Sequence, residues 1–176
     1  MTEGGGKGRW LALDAGASNW LWVTLLVLIL DQWTKALILD RFAQFQEIFI
    51  LPVLDIVRWH NEGAAWSFLQ DAGGWQRWFF IALGIGVSIG ILIWLRQLPA
   101  KGQARVAAGL AMVMGGALGN VLDRVRLGYV VDFIKVHYGD WVFPAFNLAD
   151  SAITIGAGLL ILDSVIEYGR KSEGRT

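Results

Sequence analysis

The amino-acid sequence predicts a mainly α membrane protein of a single domain, built on four transmembrane helices. Of its 176 residues, 55% are hydrophobic and only 17% are charged, whereas a soluble domain averages about 25% charged residues. The ten tryptophans and 22 glycines fit this class, because tryptophan collects at membrane interfaces and glycine is frequent in transmembrane helices. The formal net charge is zero and cysteine is absent. The composition therefore excludes disulfides and gives no basic field for nucleic acid.

Four apolar segments each supply roughly the 17–25 residues that a helix needs to cross the hydrocarbon core of a bilayer. The predicted spans are about 20–39, 78–95, 104–122 and 148–166. They leave an N-terminal tail at 1–19 and a C-terminal tail at 167–176. Because the number of spans is even, we expect both tails on the same side of the membrane.

The connection between the second and third spans indicates the orientation. Residues 96–105 contain three Lys or Arg and no acid, and basic loops of this kind stay in the cytoplasm. We therefore expect both tails in the cytoplasm and the two longer segments, 40–77 and 123–147, on the outer face. Segment 40–77 mixes β-branched and aromatic residues around Pro52, which predicts a small sheet or hairpin at the interface. An ordinary loop is the alternative.

Two charged residues lie inside the first predicted span. Asp31 and Lys35 are four positions apart and share one helix face, with the acid on the N-terminal side as a helix prefers. Turned into the bundle, they can neutralise one another instead of presenting charge to lipid. We interpret the pair as a structural brace, while a direct catalytic role for Asp31 stays open.

Glycines recur at the spacing that lets transmembrane helices approach closely. Gly86 with Gly90, and Gly115 with Gly119, each form a small-xxx-small pair. Both pairs predict helix packing.

Two Asn-x-x-Asp motifs lie at one boundary of the membrane. The third span ends in "ALGNVLDR", with Asn120 and Asp123, and the fourth begins in "AFNLADS", with Asn147 and Asp150. One helix leaves the membrane where the other enters it, so both motifs lie at the outer boundary. Asn147 also fits the N-cap of the last helix, with Asp150 near its positive end.

Asp132 is an acid in an apolar run, "GYVVDFIKV". Apolar surroundings disfavour the charged form of a carboxyl group and raise its pKa. If such a group faces a second carboxylate, the two share one proton. The neutral acid can then polarise a carbonyl while the ionised partner deprotonates water. The pattern predicts aspartic-protease chemistry at the membrane surface.

Spacing alone leaves the working pair open among four acids, Asp123, Asp132, Asp140 and Asp150. Asp123 adjoins Arg124, which favours a charge partnership, and Asp140 lies in a Gly-Asp-Trp turn, which favours a solvated acid. A zinc hydrolase is disfavoured because the chain has only two histidines and no H-E-x-x-H motif. We therefore predict no metal site.

A non-enzymatic small transporter or proton-conducting protein is the alternative function. Such a protein needs acids along a path through the bilayer, or paired repeats with broken helices. Here the polar residues gather at one face, and only Asp31 and Lys35 lie deeper.

From about Leu21 to Tyr168, the chain resembles the lipoprotein signal peptidase family, also called signal peptidase II, of the bacterial inner membrane. The resemblance rests on five motifs in order: "DQWTK" at 31–35, "NEGAAWS" at 61–67, "GNVLDR" at 119–124, "GYVVDF" at 128–133 and "FNLADS" at 146–151. It implies four membrane helices, a small periplasmic β cradle and a short interfacial helix. Trp66 stands where the family more often has Phe.

The resemblance also implies roles for individual residues. The catalytic pair carries over to Asp132 and Asp150. A second group of polar positions matches the substrate pocket of the family: Asn61, Asn120, Arg124 and Asn147. A third group matches positions that brace the pocket: Asp31, Lys35 and Asp123. We expect no cofactor and no metal.

The implied activity is that of an aspartyl endopeptidase, which cuts the signal peptide from prolipoproteins just before a diacylglyceryl-modified cysteine. The expected partners are these prolipoproteins and the lipid bilayer, with no nucleic acid, and the expected state is a monomer. The expected location is the bacterial inner membrane, with the active site at the periplasmic face. We expect segment 40–77 to cover the site.

Overall fold

The computed structural model describes residues 16–63 and 74–173. Within them lie four helices long and apolar enough to cross a membrane. They are α1 at Leu21–Arg41, α2 at Trp75–Gln97, α3 at Ala104–Arg126 and α4 at Leu148–Glu173. The predicted number of spans is confirmed, and each helix runs beyond its apolar segment. Helix α4 continues into the polar C-terminal segment because Arg170 and Lys171 in its last turn suit the negative end of a helix.

Helix α3 is the centre of the bundle. It packs against each of the other three helices. In its apolar 18-residue stretch, 56% of the residues are buried inside the protein, against 28% or less in the corresponding stretches of the other three helices. Its sequence explains this position, because a series of small residues allows close approach from several sides. The buried small residues are Ala107, Gly109, Ala111, Gly115, Gly116 and Gly119.

One of the two predicted glycine pairs packs helices together. A Cβ added at Gly115 would lie 2.8 Å from the Cβ of Val27, and one at Gly119 would lie 2.5 Å from Oδ2 of Asp31, both on α1. The prediction for Gly86 and Gly90 is wrong, because an added Cβ at either position meets nothing within 4 Å. These two glycines lie on a face of α2 that no other described element covers.

A four-stranded antiparallel sheet lies at one end of the bundle, here called the sheet end. Its strands are β1 at Glu47–Leu51, β2 at Leu54–Asn61, β3 at Val130–Tyr138 and β4 at Trp141–Val142, in that order across the sheet. The hairpin of β1 and β2 confirms the sheet predicted in segment 40–77. In the pairing of β2 with β3, Trp59 faces Asp132 and Asn61 faces Val130. This register brings Asn61 beside Asp132.

The sheet is anchored on α1 and exposed elsewhere. Ile38 of α1 forms an apolar cluster with Val131 and Phe133 of β3. By contrast, every residue of β1 is exposed, although its sequence is almost wholly apolar. A strand of this kind suits the membrane interface better than water.

Between the membrane helices, residues 42–63 and 127–147 form strands, turns and extended chain, and the implied short interfacial helix does not occur in them. Residues 64–73, with Trp66, lie outside the described residues, as do residues 1–15 of the N-terminal tail.

Candidate active site

Asp132 is held in the sheet by two side-chain amides. It lies in β3 with only 2% of its surface exposed. Asn61 Nδ2 donates to its Oδ2 at 2.9 Å, and Asn147 Nδ2 donates to its Oδ1 at 2.7 Å. Both carboxyl oxygens therefore have a fixed partner, which sets the plane of the carboxyl group.

Asp150 lies in the first turn of α4, where it forms a reciprocal cap with Asn147. The backbone N–H of Asp150 donates to Asn147 Oδ1 at 2.9 Å, and the backbone N–H of Asn147 donates to Asp150 Oδ2 at 3.2 Å. This is the geometry of a capping box, and it confirms the N-cap predicted at Asn147. Asn120 Nδ2 donates to the other oxygen, Oδ1, at 2.8 Å.

Asn147 joins the two acids. It is fully buried. Its side-chain Nδ2 donates to Asp132, its backbone N–H donates to the carboxylate of Asp150, and its side-chain Oδ1 accepts from the backbone N–H of Asp150. It also donates to Asn120 Oδ1 at 3.3 Å. Of the four acids that the sequence left open, the structure therefore connects Asp132 with Asp150 through one shared residue.

The environment of Asp132 favours its neutral form. Burial, and next the negative charge of Asp150, raise the pKa of Asp132 from 3.8 to about 7. Hydrogen bonds from Asn61 and Asn147 and the charge of Lys35 act in the opposite direction and are weaker. Asp150 differs from Asp132 in its partners, since it accepts from Asn120 Nδ2 of α3 and from the backbone N–H of Asn147 at the N-terminal end of α4. The two carboxyl groups thus have different environments, as an acid and base pair requires.

Asp31, Lys35 and Asp123 form a buried ion cluster next to this pair. Lys35 Nζ lies 2.9 Å from Asp31 Oδ2 and 3.0 Å from Asp123 Oδ2, and none of the three is more than 3% exposed. The predicted pairing of Asp31 with Lys35 is confirmed. Asp123 turns to α1 and forms its direct ion pair with Lys35, because consecutive residues on a helix point in different directions. Its interaction with the adjacent Arg124 is a longer-range attraction of charges.

The carboxylates of the cluster also hold backbone groups at the sheet end. Asp31 Oδ1 accepts from the N–H of Ala149 at 3.0 Å, and Asp123 Oδ2 accepts from the N–H of Val131 at 3.1 Å. Ala149 precedes Asp150 and Val131 precedes Asp132. The cluster therefore fixes the backbone on which both acids are carried.

Gln32 is a member of the cluster that the sequence analysis missed. Its Nε2 donates to Asp123 Oδ1 at 2.9 Å and to Asp31 Oδ2 at 3.2 Å. The sequence could have indicated this role, because Gln32 is a polar residue inside a predicted span. Such residues face the interior of the bundle and form hydrogen bonds with other polar side chains there.

A cavity of about 640 Å³ opens over the acids at the sheet end. Its polar wall contains five of the predicted residues: Asn61, Asn120, Arg124, Asp132 and Asp150. Its apolar wall comes from α2, from α4 and from the segment before α4, and includes Phe80, Phe143, Phe146, Ile153 and Ile155. Asn147 is absent from this lining and lies behind the acids. Asp132 and Asp150 therefore lie on the wall of one cavity whose other side is apolar.

Arg124 is the cation of the cavity wall. Its Nη2 donates to the carbonyl of Gly63 at 2.8 Å, and its guanidinium lies 4.8 Å from the ring centroid of Phe80. It thereby ties the chain that follows β2 to α3. The remaining expectation, that Asp140 is solvated, agrees with its exposed position beside β4.

Metal binding finds no support in residues 16–63 and 74–173, where no group of three or more His, Asp or Glu side chains is placed to hold an ion.

Comparisons with known proteins agree on one family. The family described as Signal peptidase (SPase) II matches residues 23–166. The "Lipoprotein signal peptidase" of Alteromonas mediterranea is 49% identical over 155 residues, covering 88% of this chain and 85% of the relative. That of Pseudomonas aeruginosa PAO1 is 51% identical over 152 residues, covering 84% and 88%.

Two solved structures of bacterial membrane enzymes are also similar to this chain. A structure described as "Bacterial membrane enzyme structure by the in meso method at 2.3 A resolution" is 31% identical, with a TM-score of 0.76, and covers 88% of this chain and 92% of its own. A second, at 1.9 Å, has a TM-score of 0.69 at the same identity. With four membrane helices, a small antiparallel sheet and these relatives, the chain belongs to the signal peptidase II family and is a bacterial membrane peptidase.

Proposed function

We propose that the protein is an aspartic-type endopeptidase that removes the signal peptide from membrane-bound prolipoproteins, with Asp132 and Asp150 as its catalytic pair. One observation carries the assignment. Both carboxyl groups lie on the wall of one cavity, and Asn147 bonds to both of them from behind. The name of the relatives, lipoprotein signal peptidase, supports the substrate class.

The two environments divide the work between the acids. Asp132, whose pKa is raised to about 7, starts as the neutral acid and donates its proton to the scissile carbonyl oxygen. Asp150, held by Asn120 and by the N–H of Asn147, is the general base and takes a proton from the attacking water. Collapse of the tetrahedral intermediate then returns a proton to Asp132 and passes the proton on Asp150 to the leaving nitrogen. Because the groups interact, the apparent pKa values belong to the pair.

The cavity explains why a lipid-anchored peptide is a suitable substrate. Its polar wall lies at the ends of the helices, while Phe80, Ile153 and Ile155 extend its apolar wall along α2 and α4. A substrate cut before a diacylglyceryl-modified cysteine can place its peptide bond at the acids and leave its acyl chains against the helices. The amide of Asn61 and the guanidinium of Arg124 supply donors to peptide carbonyls on the same wall.

The site lies at the sheet end, opposite the basic 96–105 connection. By the positive-inside rule, this end faces the periplasm and both termini face the cytoplasm. We assign the protein to the inner membrane, as a multi-pass monomer that meets its substrate in the bilayer.

The test is to incubate the purified protein with a diacylglyceryl-modified prolipoprotein and to measure product masses. We expect one new product that begins at the modified cysteine, and cleavage at least tenfold slower for the same precursor without the lipid. Equal rates on both precursors would contradict the lipid-anchored substrate.

Variants test the catalytic pair in the same assay. Asp132→Asn and Asp150→Asn should each process almost nothing, and the double variant should be scarcely worse, because residues that act as a unit are not additive. Asp140→Asn is the matched control: it removes an exposed acid at the sheet end and should retain wild-type activity. Near-normal turnover in a folded Asp132→Asn or Asp150→Asn protein would defeat the assignment.

A further inference from the structure

Lys35 has a third contact that neutralising the acids does not require. Its ammonium group has three N–H donors. Two of them meet Asp31 and Asp123 at 2.9 and 3.0 Å. The third donates to Asn120 Oδ1 at 3.0 Å, and Asn120 is the residue whose Nδ2 donates to Asp150.

The side-chain amide of Asn120 has two chemically different ends. Its oxygen can only accept hydrogen bonds and its nitrogen can only donate them. With Lys35 Nζ and Asn147 Nδ2 both directed at the oxygen, the nitrogen must face Asp150. A flipped amide would place N–H groups against an ammonium group and an oxygen against a carboxylate, both of which are repulsive.

We propose that Lys35 is a positioning residue for hydrolysis: it locks the side-chain amide of Asn120 so that Nδ2 donates to Asp150. This role rests on the proposed function, since it requires Asp150 to be the catalytic base. Lys35 is 2% exposed and absent from the cavity lining, so it does not touch the substrate. It acts on the reaction through Asn120.

The charge of Lys35 adds a second effect on the pair. It partly offsets the burial of Asp132 and the charge of Asp150, and so lowers the pKa of Asp132. The charged groups around Lys35 are Asp31 on its own helix and Asp123 on α3, with Asp132 on β3 beyond them. Loss of the ammonium should therefore move the alkaline limb of the rate profile, which Asp132 governs as the acid, to higher pH.

The experiment compares kcat, KM, the pH profile of kcat and Tm for Lys35→Met and Thr24→Val in the full-length protein. Thr24 is a buried polar residue of α1 whose hydroxyl donates to the carbonyl of Ala111 on α3 at 2.9 Å. Its loss weakens the same helix pair without reaching the acids. We expect Lys35→Met to lower kcat about ten- to a hundredfold at little change in KM, and Thr24→Val to lower Tm alone.

A double-variant cycle separates positioning from bracing. If Lys35 acts through Asn120, then Lys35→Met should cost little further kcat in an Asn120→Ala background. Equal losses of kcat in both backgrounds, or a Lys35→Met profile like that of Thr24→Val, would overturn the proposal. Asp150→Asn belongs in the same series, because an active Asp150→Asn protein would overturn the proposed function itself.

A charge-compensated variant covers the case in which Lys35→Met does not fold. The wild-type cluster has two carboxylates and one ammonium, hence one excess negative charge. Lys35→Met with Asp123→Asn leaves one carboxylate and the same net charge. This pair of substitutions should restore folding and still show the low kcat, because the N–H donor to Asn120 Oδ1 is missing in both. Wild-type kcat in the folded pair would overturn the positioning role.

Discussion

Asn147 and Asp150 hold one another by two reciprocal hydrogen bonds, of 2.9 and 3.2 Å, across the first turn of α4. One pair of residues thus caps the start of a helix and places a carboxyl group of the candidate site. Since the amide of Asn147 also reaches Asp132 at 2.7 Å, the N-cap and the acid pair depend on the same side chain.

Substitutions at Asn147 should separate these two duties. Asn147→Ser keeps an oxygen for the cap but cannot reach Asp132, so we expect a small change in Tm and a large loss of kcat. Asn147→Ala loses both, and the missing cap should cost about 1 kcal/mol of stability in addition. The measurements are thermal unfolding and turnover on the same preparations. Activity that follows Tm across both variants would argue for a purely structural Asn147.

The raised pKa of Asp132 predicts a pH-dependent stability with a definite sign. Its value rises from 3.8 to about 7 on folding, so the folded protein binds more protons than the unfolded chain between these values. The contribution of this group to the free energy of unfolding is therefore present at acidic pH and is lost as the pH rises toward 7. Its size is at most about 4 kcal/mol.

Asp132→Asn removes this titration. We expect the difference in Tm, variant minus wild type, to grow from pH 4 to pH 7.5, as followed by the fluorescence of the tryptophans. Parallel curves over that range would show that the carboxyl group of Asp132 titrates normally in the fold.

Two glycines make a matched pair for testing helix packing. A Cβ at Gly116 would collide with the carbonyl oxygen of Ala149 and lie 2.7 Å from Cγ1 of Ile153, whereas one at Gly86 meets nothing within 4 Å. Gly116→Ala should cost about 1–3 kcal/mol by overpacking and should lower kcat, because it displaces the turn that carries Asp150. Gly86→Ala should leave both Tm and kcat near wild type. Equal tolerance at both positions would contradict the close packing of α3 on α4.

The absence of cysteine allows a clean test of orientation with single-cysteine variants. Gln103, in the basic connection, and Tyr138, at the end of β3, are both exposed. In intact spheroplasts, a membrane-impermeant thiol reagent should label Tyr138→Cys at once and Gln103→Cys only after the membrane is opened. The reverse order would place the acids in the cytoplasm.

Local sequence information predicted the parts of the site that are local in the chain. The capping of Asp150 by Asn147 spans three positions, and the pairing of Asp31 with Lys35 spans four, so helix geometry alone determines them. The number of spans followed from apolar length. These features need no knowledge of how the helices pack.

Contacts between distant elements were beyond this reasoning. Asp123 meets Lys35 only because α3 packs on α1, and its neighbour Arg124 turns away to Gly63. Asn61 reaches Asp132 because of the register of β2 on β3. The spacing of Gly86 and Gly90 equals that of Gly115 and Gly119, but only a helix with partners on several sides, such as α3, uses it for packing.

The order of synthesis gives the ion cluster a further consequence. Asp31 and Lys35 can neutralise each other as soon as α1 enters the bilayer, before any other helix exists. Asp31 also accepts a hydrogen bond from the backbone N–H of Ala149. Ala149 lies in α4, which is synthesised after the other three helices. Asp150 arrives with that same helix, so a chain that lacks α4 carries Asp132 without Asp150. Under the proposed function, we therefore expect no proteolysis before α4 is in place.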